Sequence, residues 1–167
     1  MDEPLLFFFE GDGAVPNNRL PLLVYPQGLP AGDDDKAAAF ERLFAGNGWP
    51  ESWRNGIFPY HHFHSTSHEV LGIARGRATV LFGGERGEVL DVEAGDVVVI
   101  PAGVGHKRLE CSNDLLVVGA YPDGQDWDLR EGDPDEYEDV TANVAAVAMP
   151  SQDPVRGREG PLRELWR

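Results

Sequence analysis

Four of the five histidines in this 167-residue chain, His61, His62, His64 and His68, stand in one stretch, GIFPYHHFHSTSHEVLGIARG from Gly56 to Gly76. Glu69 follows the last of them. Imidazoles gathered beside a carboxylate have three readings: ligands for a metal ion, an acid/base site, or a chance grouping on a solvated turn. Alternate side chains of a strand share a face, so His62 and His64 point one way with Tyr60 beside them, and His61 and Phe63 point the other. The turn Ser65–Ser67 breaks that parity, and Glu69 opens a new strand with Leu71 and Ile73 as its same-face partners.

A fourth candidate lies downstream, in PAGVGH. Pro101 lacks a backbone donor and ends a ladder, Gly103 and Gly105 permit a tight turn, and His106 starts the next strand. Three neutral imidazoles and one carboxylate would leave a divalent ion about one residual positive charge, and a six-coordinate ion about two positions for water or substrate. Thiolate ligation is excluded, because the one cysteine, Cys111, lies apart from the group. It also excludes an internal disulfide, which suits a reducing compartment.

The elements that must position these groups are short. Gly and Pro number 20 and 13, a punctuation that favours tight turns over long helices. Strands are expected at Leu5–Phe9 and Leu20–Tyr25, and one helix at about Asp34–Ala45. Asp33, Asp34 and Asp35 suit that helix's N-terminal dipole, Phe40, Leu43 and Phe44 form its apolar stripe, and it is expected to pack across a barrel mouth. From Ile57 to Tyr121 the segments EVLGIAR, RATVLF, EVLDV, DVVVIP, HKRLEC and DLLVVGAY read as strands of an antiparallel barrel, with a hairpin around GGERG. Val140–Met149 reads as a last strand, though its alanines permit helix, and the end of the chain as an extended tail docking Leu162, Leu165 and Trp166.

The net charge of −15 repels phosphate backbones and anionic lipid, so neither nucleic acid nor membrane is an expected partner. Nine of the acids fall between Asp123 and Asp139 with a single arginine, Arg130, which reads as a solvated connection without the spacing of a calcium loop. The apolar run Leu5–Phe9 is too short for a signal segment or a membrane span, and a cytoplasmic location is expected.

The spacing of Gly56, His62, His64, Glu69 and Gly76 resembles the first cupin motif, and that of Gly95, Pro101, Gly103 and His106 the second. The resemblance implies an all-β jelly-roll barrel (a double-stranded β-helix) with one N-terminal helix and an extended C-terminal tail. Length and the lack of a dividing linker make this one expected domain over residues 1–167: barrel core about 56–121, N-terminal strands and helix in 1–55, C-terminal segment 122–167. The resemblance further implies that His62, His64, Glu69 and His106 hold a divalent transition metal, whether Fe, Mn, Ni, Zn, Co or Cu. Where the second motif often ends in asparagine, this chain has Glu110; by strand parity Arg108 and Glu110 share a face with His106. They read as a salt-bridged pair near the barrel mouth or as groups reaching the cavity. The stretches VPNNRLPLLVY, NGWPESWRNGIFPYHHFHSTSHEVLG, VVGAYPDGQ and DPVRGREGPL are similar to a bacterial cupin group known as YjlB-like, biochemically uncharacterised.

The functional expectation is a metal-dependent enzyme acting on a small polar molecule, by oxygenase, isomerase or lyase chemistry. In it Arg108 binds a substrate carboxylate, and His68 or Glu110 moves protons. His68 also stands as an alternative ligand to Glu69 if the turn register slips by one. The competing reading is a non-catalytic small-molecule-binding or sensor protein. Resemblance to other single-domain cupins suggests a homodimer, with Leu5–Phe9 as an edge-pairing strand.

Overall fold

A computed structural model describes residues 2–32 and 34–167; Asp33, one of the three acids expected to suit the helix's N-terminal dipole, lies outside the described residues. The strands are β1 (Leu5–Phe9), β2 (Asn18–Tyr25), β3 (Trp53–Asn55), β4 (Glu69–Arg75), β5 (Arg77–Phe82), β6 (Glu88–Glu93), β7 (Val97–Ile100), β8 (His106–Cys111) and β9 (Leu116–Ala120). They form a six-stranded sheet in the order β1-β2-β7-β4-β9-β3 and a three-stranded sheet in the order β6-β5-β8, with every pairing antiparallel. The result is the expected jelly roll, and the expected β5–β6 hairpin is in place.

Strand β4 shows how one sequence serves two cores. Leu71 and Ile73 point inward and pack with Val80 and Phe82 of β5 between the sheets. Val70 and Ala74 point outward, into a second apolar layer with Phe40, Phe44 and Trp166. Burial on both faces explains the near-continuous apolar run EVLGIA, in place of strict alternation.

The helix α1 (Lys36–Gly46) begins at Asp35, whose side chain accepts from the Ala38 N–H at 3.1 Å. It lies on the outer face of the six-stranded sheet and not across the barrel mouth. Phe40 sits over Gly72, where an added Cβ would approach its ring to 2.6 Å. The apolar stripe was legible, but its partner is the outward side of β4 and β9, which the sequence does not distinguish from the inward one.

Val140–Met149 is not a strand. Tyr137–Ala146 forms the helix α2, with Glu138 and Asp139 in its first turn and alanines in its body. The tail docks as expected, through fully buried Leu162 and Trp166, and closes with the short helix α3 (Leu162–Leu165). The Trp166 indole donates to the Pro21 carbonyl at 2.8 Å.

Candidate metal centre

Two segments meet at one end of the space between the sheets. His62 and His106 exchange backbone hydrogen bonds (3.1 and 2.9 Å), and Phe63 does the same with Arg130 (2.9 and 3.0 Å). The His62–His64 stretch thus runs extended between β8 and the acidic segment, and its parity is the expected one. His62 and His64 line a cavity, whereas Phe63 is buried against Val15 and Val140, and His61 meets Glu85 at 2.6 Å. His106 enters from the first residue of β8, after a turn that Gly103 makes with φ +86°; a Cβ there would strike the Asn17 carbonyl at 2.6 Å. Glu69 enters from the first residue of β4, in the opposite sheet.

The three rings share one orientation. His62 Nδ1 donates to the Tyr60 carbonyl at 3.0 Å, His106 Nδ1 to the Val104 carbonyl at 3.1 Å, and His64 Nδ1 to the Asp128 carbonyl. A carbonyl only accepts, so the proton of each neutral ring sits on Nδ1 and the Nε2 lone pair is exposed to the cavity. His64 Nε2 lies 3.3 Å from one oxygen of Glu69, and His106 Nε2 lies 3.3 Å from the other. The ligand atoms of His64, Glu69 and His106 all fall within 4.8 Å of one another, and all three residues are buried. His62 stands just outside this trio, with its ring 4.0 Å from that of His106 and 6.3 Å from that of His64.

With the rings neutral, lone pair faces lone pair, and a cation between them, either a proton or a metal ion, relieves the repulsion. Burial raises the Glu69 pKa most, but His64 and His106 outweigh it and hold the carboxyl well below the usual carboxylate range. Burial works most strongly against charge on His64; the Glu69 carboxylate and its hydrogen bond still lift the ring above its ordinary value. Burial, then repulsion by His106, pushes His62 down to about 3, which keeps it neutral and able to ligate. Two or three imidazole nitrogens with one ionised carboxylate are a donor set that fits a divalent transition metal.

The three candidates for catalysis stand elsewhere. His68 is 1 % exposed and turned from the cavity; its Nδ1 accepts from the Ala102 N–H at 2.9 Å, and its ring lies 4.7 Å from Trp166. Burial pushes its pKa down to about 4. Glu110 is exposed and pairs with Thr79, because the β5–β8 register shifts by one residue just after Arg108 and undoes the parity expected from His106. Arg108 keeps that parity opposite Val80, but its backbone binds the Phe58 carbonyl and it is not among the residues lining the cavity.

Other residues supply the surroundings. Asp128, read from sequence as part of a solvated connection, accepts from the Ser65 and Thr66 N–H groups, the Ser65 hydroxyl and Arg130. It fixes the turn after His64 while its carbonyl orients the His64 ring. Tyr121 stacks on Trp127 with centroids 5.7 Å apart, and both meet the His64 ring edge-on at 5.6 Å. The Tyr121 hydroxyl accepts from the Trp53 indole at 3.1 Å; burial, then the charge of Glu69, pushes its pKa up. No local pattern marks these residues, since each acts on a partner more than fifty positions away.

Known proteins resemble the chain at two levels. The family described as a cupin domain matches residues 53–113. The uncharacterized protein YjlB of Bacillus subtilis (strain 168) is 44% identical over 165 residues, covering 98% of this chain and 97% of that protein. Among solved structures, a DUF861 family protein from Thermotoga maritima is 22% identical with a TM-score of 0.37, over 59% of this chain and 96% of that one. Acireductone dioxygenase from Bacillus anthracis, with a cadmium ion in its active centre, is 19% identical with a TM-score of 0.44, over 66% of this chain and 80% of that one.

Proposed function

Because the chain belongs to the cupin family, with YjlB as its relative, we propose that it holds a divalent transition metal on His64, Glu69 and His106, with His62 completing the set. One observation carries this reading: two Nε2 lone pairs and both oxygens of a buried carboxylate converge from opposite sheets on a common point. A divalent ion bound there would polarise a carbonyl or carboxylate oxygen or activate water. Around it, His64 and His106 hold their tautomers through backbone carbonyls, and the aromatic residues keep bulk water from the ligands. The side chains support a small molecule reaching this centre through the cavity, with oxygenase, isomerase and lyase chemistry as the reactions to screen.

A second reading, binding without turnover, is favoured by a separate observation. His68 and Glu110 face away, which leaves the Tyr121 hydroxyl as the proton-bearing side chain beside Glu69, and its proton is held firmly. Aerobic and anaerobic turnover screens on protein reloaded with each first-row metal separate the two readings. Turnover dependent on His64 and Glu69 supports the enzyme; saturable ligand binding with full metal content and no turnover supports the sensor. No helix among the described residues is long and apolar enough to cross a membrane. Leu5 and Phe8, exposed on edge strand β1, support the expected homodimer, which sedimentation at micromolar concentration tests.

A further inference from the structure

We infer that the molecule reaching this centre has an apolar, preferentially aromatic body and a small oxygen-bearing head, and is neither a sugar nor a multiply charged acid. The inference rests on the reading of the site as a metal centre, and it concerns the walls above the ligands. The cavity encloses about 260 Å³, the size of a single ring with short substituents. Its floor is polar, and its walls are built from Trp53, Ile57, Phe58, Leu71, Trp127 and Leu129.

Two further observations point the same way. Phe58, Trp127 and Leu129 are 40%, 53% and 42% exposed, so large apolar side chains stand in water around the mouth of the cavity. A contiguous exposed apolar rim marks a surface that another molecule covers, and here it continues inward to the ligands. Charge gives the second observation. Among the described residues the one cation on the wall is Arg54, and Glu41 already binds it through two contacts, at 2.6 and 3.0 Å. With Arg108 away from the cavity, no free guanidinium among the described residues meets a second carboxylate or a phosphate; the amide oxygen of Asn55 already accepts from the Gly56 N–H at 2.8 Å, and the hydroxyls of a sugar would otherwise face mainly indole, phenyl and aliphatic groups.

Two measurements by isothermal titration calorimetry test the inference and keep it separable from the metal assignment. On metal-free protein, p-cresol probes the walls alone: it binds, and Trp127→Ala and Phe58→Ala each weaken it, while xylose produces no heat of binding. On protein reloaded with a divalent metal, benzohydroxamate and acetohydroxamate carry the same chelating head on different bodies. Benzohydroxamate binds about ten- to a hundredfold more tightly, the gain from burying one ring. Failure of p-cresol to bind, or equal affinities for the two hydroxamates, overturns the inference while leaving metal binding intact. Binding of p-cresol to a protein that takes up no metal sustains the apolar wall and sinks the metal centre alone.

Discussion

His68 and Glu69 are adjacent in the chain yet serve opposite faces of one sheet. Glu69 turns its carboxylate to His64 and His106, and His68 packs its ring against Trp166 in the outer layer. The strand that begins at Glu69 fixes this division, because a one-residue slip would exchange every inward and outward side chain of β4. The alternative of His68 as ligand would bury Glu69 among Trp166 and its neighbours. Metal analysis after reloading should therefore find Glu69→Gln depleted and His68→Asn at the level of the parent protein.

The ligands should not be equal. His106 belongs to the tight trio, whereas His62 stands beside it and is the more easily replaced by water. Competition with a chelator should show His62→Ala weakened about 10- to 100-fold, no more than the loss of a residue supporting a ligand, and His106→Ala weakened further. Far-ultraviolet circular dichroism should be unchanged in both, because the apolar layers and not the ion support the strands. Equal losses would show that His62 holds the ion as firmly as His106 does.

Asp128 ties the acidic segment to the turn that follows His64. Its carboxylate is held below the usual range: burial opposes this, but bonds from Ser65 and Arg130 outweigh it. Asp128→Ala leaves the Ser65 and Thr66 N–H groups without their acceptor and should cost about 1–3 kcal/mol in urea unfolding. Metal affinity should fall with it by roughly tenfold or more, since the backbone carbonyl that orients the His64 ring loses the side-chain bonds that hold it in place. Loss of stability with unaltered metal affinity would separate the turn from the centre.

Acid should destabilise the metal-free protein before its carboxylates titrate. His68 stays neutral in the fold down to about pH 4, while in the unfolded chain it takes up a proton near the ordinary value of 6.5. The unfolded state then binds more protons, so its contribution is complete above pH 6.5 and is lost as the pH falls towards 4. The shift corresponds to something on the order of 3 kcal/mol. Urea unfolding of His68→Asn should show a flatter dependence across that window; an unchanged slope would remove His68 from the account.

Gly72 tests the packing of the outer layer. Its backbone needs no unusual conformation, but an alanine methyl would press on the Phe40 ring at 2.6 Å. Gly72→Ala should destabilise the protein by about 1–3 kcal/mol through overpacking, measured by thermal unfolding, and leave metal uptake intact. Gly119 is tighter still, facing the Trp53 ring at 2.1 Å. Because Trp53 walls the cavity, Gly119→Ala should disturb ligand binding as well as stability.

The motif spacings pointed to His62, His64, Glu69 and His106, which the structure brings to one cavity, because strand parity and short turns carry geometry over a few residues. The strands from Glu69 to Ala120 were legible for the same reason, being short, apolar and bounded by glycine. Legibility failed where the decisive partner is remote. Nothing near Asp128 announces that it will meet Ser65, and nothing near α1 says which side of β4 it covers. Glu110 failed differently: a single inserted residue, Leu109, in the β5–β8 pairing defeated the parity argument, while Arg108 kept its parity and still does not line the cavity. In α2, acids at the start and alanines within outweighed the valines that suggested a strand.

The four tryptophans divide into two pairs with different surroundings: Trp53 and Trp127 border the cavity, and Trp49 and Trp166 lie sealed in the outer layer. The protein thus carries its own optical gauge. A paramagnetic ion or an absorbing guest should dim the emission of the first pair, while the second, blue-shifted and shielded, serves as an internal standard in the same spectrum.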